Sequence, residues 1–191
     1  SGDHRALHAS PTRRASELAV TGVPHSYDFT QNLYFGKLTY YATPNDTLNV
    51  STYYRKENNL SDVDSNAAST HARNLKTQVT QFHLNWKRSV GNTLNVFNVA
   101  YNDSSQSTPT AGSGPEYNLT NGMNFGQWTG AELGAHFFTQ ADTQKSLTFK
   151  DDFTYRLNDH KIKFGGQVIF NTLTRNVTNA FNGRYYFNNP G

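Results

Sequence analysis

The chain has 191 residues, 17 Lys and Arg against 14 Asp and Glu, a formal charge of +3, and no cysteine. The missing thiols exclude a disulfide framework and a thiolate zinc site. The mild, scattered charge excludes the clustered basic face of a nucleic-acid binder.

Only 35% of residues are hydrophobic, yet aromatics reach 14%, with eleven Tyr, thirteen Phe and two Trp. That balance is poor for a soluble core and suits a β-barrel, where every second side chain faces water or the lumen. No run of apolar residues is long enough for a transmembrane helix, so a membrane reading has to use strands. Ser1-Gly2-Asp3-His4-Arg5 lacks the charged and apolar regions of a secretory leader, and the sequence reads as starting mid-protein.

Residues 1–30 read as an irregular loop leading into the barrel, with Pro11, Arg13, Arg14, Gly22, Pro24 and His25 breaking any period. Alternation begins in Asn32–Ala42, with Tyr34, Gly36, Leu38, Tyr40 and Ala42 on one face and Phe35, Lys37, Thr39 and Tyr41 on the other. Pro44-Asn45-Asp46 turns the chain, and Leu48, Val50, Thr52 and Tyr54 oppose Asn49, Ser51, Tyr53 and Arg55 on the return. The stretch Glu57 to Asn74 is polar and aperiodic.

The unit then recurs. Thr80, Phe82, Leu84 and Trp86 oppose Gln81, His83, Asn85 and Lys87, and Gly91-Asn92 turns the chain into Thr93–Asp103. There Leu94 and Val96 share one face while Phe97, Val99 and Tyr101 share the other, which predicts a bulge near Val96. Ser104 to Gln144 is loop-like, with brief alternation over Ala131–Phe137 that reads as a strand extension or a loop hairpin.

In the third unit Leu147, Phe149, Phe153, Tyr155 and Leu157 line one face, interrupted by Asp151. After Asn158-Asp159-His160, the residues Ile162, Phe164, Gly166, Val168 and Phe170 oppose Lys161, Lys163, Gln167 and Asn171. Gly183-Arg184-Tyr185-Tyr186-Phe187 reads as the start of a further strand.

The pattern is strand, short turn, strand, long loop, repeated over hairpins at about 32–57, 77–103 and 146–175. Bacterial outer-membrane barrels place short turns on the periplasmic side and long loops outside. Lys37, Arg55, Lys87, Lys150, Asp152, Arg156, Lys161 and Lys163 all lie opposite the apolar stripe, as the cost of a charge in lipid requires. The expected fold class is all-β, an antiparallel transmembrane barrel segment of about six or seven strands. A soluble sandwich shares the alternation and stays open as an alternative.

Leu33-Tyr34-Phe35-Gly36-Lys37-Leu38-Thr39-Tyr40-Tyr41 with Pro44-Asn45-Asp46-Thr47-Leu48 resembles the barrel of TonB-dependent receptors, most of all the Oar-type branch with a carboxypeptidase-regulatory-like domain. Lys150-Asp151-Asp152-Phe153-Thr154-Tyr155 with Asn158-Asp159-His160-Lys161-Ile162-Lys163-Phe164-Gly165-Gly166 resembles a strand-turn-strand of the same barrels. The resemblance spans Asn32 to Phe187 and implies a barrel of about 22 strands around a plug domain. It further implies energised uptake of a scarce nutrient (siderophore, saccharide or peptide) through TonB. No segment matches the plug or a TonB box, so the sequence reads as part of a longer chain. The partners implied are outer-membrane lipid, the rest of the barrel and plug, the TonB complex and an external ligand.

Candidate chemistry is sparse. Asp62-Val63-Asp64-Ser65-Asn66 opens like a calcium loop, but Ala67 replaces the required Gly and Arg73 the closing Glu. The seven His share no ligand spacing, and His83 and His160 fall on the polar face or a turn. Asp151 and Asp152 point to opposite faces of a strand and cannot share one acid/base site. Asn59-Leu60-Ser61 is a chance sequon. No nucleophile, phosphate or zinc-protease motif occurs, so the sequence predicts no enzyme, catalytic residue, metal or cofactor. Ligand contacts are expected in the loops Lys56–Asn74, Ser104–Gln144 and Asn176–Phe187, where Tyr117, Trp128 and Tyr185 can stack on a sugar, peptide or chelate. A passive porin, an outer-membrane enzyme and a soluble adhesin module remain competing classes.

Overall fold

A computed structural model describes residues 28–62, 67–120 and 131–188. These residues are all-β apart from a turn of 3-10 helix, Ser69–His71. The strands are β1 (Phe29–Thr43), β2 (Asp46–Ser61), β3 (Arg73–Val90), β4 (Thr93–Ser107), β5 (Glu116–Thr120), β6 (Ala131–Gly134), β7 (Phe138–Leu157), β8 (His160–Asn179) and β9 (Arg184–Asn188). Six form one antiparallel sheet in the order β1-β2-β3-β4-β7-β8, and three form a second in the order β6-β5-β9. No helix among the described residues is long and apolar enough to cross a membrane.

Each hairpin of the large sheet closes through two turn residues: Pro44-Asn45, Gly91-Asn92 and Asn158-Asp159. Gly91 and Asn158 take positive φ, 53° and 51°. That is the mirror-image turn whose twist matches paired strands. Pro44 cannot do this because its ring fixes φ near −65°. The mismatch appears as a register shift between Tyr41 and Thr43. Side chains tie this looser corner, with Thr43 Oγ1 donating to Asp46 Oδ2 at 2.6 Å.

Cross-strand pairing fixes the faces. One row runs Leu38, Val50, Leu84, Val99, Phe149, Val168, and the row beside it Tyr40, Leu48, Trp86, Phe97, Asp151, Gly166. The bulge expected near Val96 is absent: β4 pairs without a register shift on both sides. Phe97, Val99 and Tyr101 belong to the apolar belt, while Leu94 and Val96 sit on the opposite face beside Ser89 and Lys87.

That opposite face is tied by amides. Thr39 Oγ1 donates to Asn49 Oδ1 at 2.8 Å, Asn49 Nδ2 to Asn85 Oδ1 at 3.3 Å, and Asn85 Nδ2 to Asn98 Oδ1 at 2.8 Å. Gln81 Nε2 donates to Asn102 Oδ1 at 3.0 Å two rows further out.

The hairpins are staggered. Asp46, first in β2 after the turn, faces Arg88, two residues short of the end of β3 at Val90. Thr93, first in β4, faces Tyr155, two residues short of the end of β7 at Leu157. The step is therefore one residue per strand. At about 3.3 Å per residue and about 4.8 Å between strands, it inclines the strands by about 35°.

Neither face of the large sheet holds a packed apolar core. Phe82, Phe164 and Val168 are 42%, 64% and 55% exposed, and Leu84 is half-buried. Apart from Thr154, the buried side chains of the described residues lie at the long-loop end: Ala67, Ala68, His71, Ala72, Glu116, Asn118, Ala131 and Ala135.

The strands also outrun the sequence expectation. Polar segments read as loop, Asn58–Ser61, Arg73–Asn74, Ser104–Ser107 and Phe138–Gln144, are continuous ladder. The segment from Gly183 is a strand as expected. It joins the small sheet, parallel to β5, and not the large one. The large sheet thus has six strands, and the brief alternation from Ala131 is a separate short strand, β6.

Candidate functional site: a buried polar cap on three loops

The three long loops expected to meet a ligand converge in the small sheet. β5 pairs antiparallel with β6 and parallel with β9, and Ala67 bridges to Glu132. The chain returns sharply after β6 because Gly134 takes φ of 77°, and a Cβ there would run into the Pro115 carbonyl. No larger residue fits both conditions.

Alternation gives this sheet two unlike faces. Inward lies Glu116, whose side chain is fully buried. Its Oε1 accepts from Arg184 Nε at 3.0 Å and Asn118 Nδ2 at 2.5 Å, and its Oε2 accepts from the Phe137 amide at 2.8 Å. The Arg184 guanidinium stacks 4.0 Å from the Phe137 ring centre and 5.0 Å from that of Tyr186. His71 is 3% exposed, and its Nε2 lies 3.2 Å from Glu132 Oε2. Its ring leans on His136 at 4.7 Å.

The hydrogen bond from His71 holds the Glu132 carboxyl below its ordinary range, against burial, with the charges of His71, His136 and Arg184 adding to it. Burial pushes the His136 imidazole down, helped by the Arg73 and His71 charges and opposed by Asp62 and Glu116.

Outward, Tyr117 and Tyr185 stack with ring centres 5.7 Å apart, and Phe187 stands 6.3 Å from Tyr117. All three are exposed. The structure thus brings together two of the three loop aromatics expected to meet ligand. Trp128 lies outside the described residues.

The calcium-like run is described only at Asp62, with Val63–Asn66 outside the described residues. Asp62 is held by Arg73, Nε to Oδ2 at 2.5 Å. The cation standing where a calcium loop needs its closing Glu therefore neutralises the loop's first carboxylate. His83 sits on the polar face between Ser51 and Ala100, and His160 opens β8 opposite Leu157. Asp151 and Asp152 separate as expected: Asp151 accepts from Asn95, and Asp152 pairs with Lys150 at 2.6 Å. Asn59-Leu60-Ser61 is in paired strand.

Sequence reading did not find the grouping of His71, Glu116 and Glu132. These residues come from two separate loops with no ligand spacing, and they meet through the β5–β6 pairing and the bridge from Ala67 to Glu132.

Comparison with family models, curated proteins and solved structures finds no match for this chain.

Proposed function

We propose that the six-stranded sheet is part of the wall of an outer-membrane β-barrel of the TonB-dependent receptor type, with its long-loop cap turned to the exterior. The observation that carries this reading is the open apolar belt on one face, backed by a hydrogen-bonded amide ladder on the other. A soluble sheet with this belt would cover it with a second layer.

The belt has membrane dimensions. On β8 it runs from Ile162 to Phe170 and then gives way to Thr172, Thr174 and Asn176. Eight residue steps at about 3.3 Å, inclined by about 35°, span about 22 Å, close to the apolar band of about 25 Å on such barrels. Its outer border is charged and aromatic: Lys145 pairs with Asp103 at 3.5 Å, and Tyr34 lies 6.2 Å from Tyr54. Six strands are fewer than the eight or so of the smallest closed barrels, so this reading requires further strands beside β1 and β8.

Energised import of a scarce nutrient follows from the family resemblance, with the Tyr117–Tyr185 face as the contact for ligand. Trp86 provides the membrane test. In a Trp128→Phe variant reconstituted in vesicles, brominated phospholipid should quench the remaining tryptophan. Unquenched fluorescence, or a protein that stays soluble and monomeric without detergent, would defeat the proposal. The transport part predicts ligand uptake that stops when the proton gradient is dissipated.

A further inference from the structure

We infer that the cap holds a divalent transition-metal ion, of which zinc is the representative, between His71, Glu116 and Glu132. One ring nitrogen of His71 and one oxygen from each carboxylate all lie within 4.8 Å of one another. One pair, His71 Nε2 and Glu132 Oε2 at 3.2 Å, stands near the spacing of about 3.4 Å between two ligands on a tetrahedral zinc.

A buried atom provides the independent observation. Asn118 Oδ1 is buried without a hydrogen-bond partner, and Asn118 is 1% exposed. An orphaned polar atom at that depth is costly and calls for a partner. Asn118 belongs to the cluster, since its amide nitrogen touches Glu116.

Lone-pair accounting shows that the ion fits. A carboxylate offers about four acceptor positions. Glu116 uses three, on Arg184, Asn118 and the Phe137 amide, leaving one. Glu132 is tied through His71 alone among the bonds described. Two carboxylates against one guanidinium leave a negative charge for a cation to balance. A nitrogen ligand with carboxylate and amide oxygens suits zinc and its neighbours, whereas calcium and magnesium prefer all-oxygen shells.

The ion would join two of the long loops at one point. Its role is to fix the cap, with no chemistry required of it.

The test is zinc titration by calorimetry on the whole purified protein after chelator treatment, with hydrogen exchange across residues 67–72, 116–119 and 131–136. One zinc should bind and slow exchange in all three segments. His71→Ala and the isosteric Glu132→Gln should each weaken binding by about 100-fold or more, while His83→Ala, on the sheet, should not. Calcium should fail to substitute. No saturable binding would overturn the site and leave an ordered water as the missing partner. Equal affinity in Glu132→Gln, or dependence on His83, would also overturn it.

Discussion

Asn95 and Asp151 meet across β4 and β7, with Asn95 Nδ2 donating to Asp151 Oδ1 at 2.9 Å on the apolar face. Asp151 interrupts an otherwise apolar stripe, and Asn95 is the donor that makes it tolerable there. Asn95→Ala should cost about 1–3 kcal/mol in lipid, the cost of a stranded polar group. Asp151→Asn should be neutral or stabilising. Urea unfolding in vesicles reads both. A cost below about 0.5 kcal/mol for Asn95→Ala is what an exposed surface pair would give and would argue against lipid on this face.

Leu84 sits in the row Leu38, Val50, Leu84, Val99, Phe149, Val168, apolar at every strand. Leu84→Arg should therefore cost about 2–4 kcal/mol, as a charge near the bilayer midplane does. The adjacent Asn85 is a compromised control because it both donates and accepts in the amide ladder. His83→Arg is cleaner and should fold in bilayers nearly as well as the parent. Equal folding losses for Leu84→Arg and His83→Arg would contradict the assigned faces.

The Glu116–Arg184 pair joins segments 68 residues apart. Arg184→Met should loosen the cap, seen as faster exchange at Tyr117 and Tyr185, while the large sheet keeps its protection. Arg184→Lys should not restore it, because an ammonium cannot both stack on Phe137 and Tyr186 and present a planar fork to Glu116. Rescue by Lys would reduce the contact to plain charge pairing.

Asp62 gives a pH dependence at the edge of the cap. Burial alone would raise its pKa, but the hydrogen bonds from Arg73 and Ser61 and the charge of Arg73 outweigh it and hold the pKa below the ordinary 3.8. A depressed carboxyl pKa contributes stability that is complete above the unfolded value and is lost as pH falls through the folded one. The protection factors of residues 60–62 and 73–75, corrected for intrinsic exchange, should thus be flat above about pH 5 and fall only in acid below about 3.8. Asp62→Asn should remove that acid limb. Persistence of the limb in the variant would assign it to another group.

Much of the large sheet was legible because its faces differ. Where Phe82, Leu84 and Trp86 alternate with Gln81, His83 and Asn85, the period of two shows itself. Beyond the belt both faces are polar, so Arg73–Asn74 and Phe138–Gln144 join the ladder with no apolar alternation to read. The supposed bulge at Val96 came from expecting every apolar side chain on one face, whereas Leu94 and Val96 pack on the polar side. The cap was least legible. Its strands are short, its parallel partners Tyr117 and Tyr185 are far apart in sequence, and His71, Glu116 and Glu132 become neighbours only through the β5–β6 pairing and the bridge from Ala67 to Glu132.

The regular drop of each hairpin below the last makes the rim a spiral ramp and sets a rule for length changes. Removing two residues from one hairpin would level a step and alter the local lean while every side chain kept its inward or outward sense. Removing a single residue would turn the rest of that strand inside out. Viable shortened or lengthened forms of this wall should therefore differ by even numbers within strands, with odd changes confined to the loops.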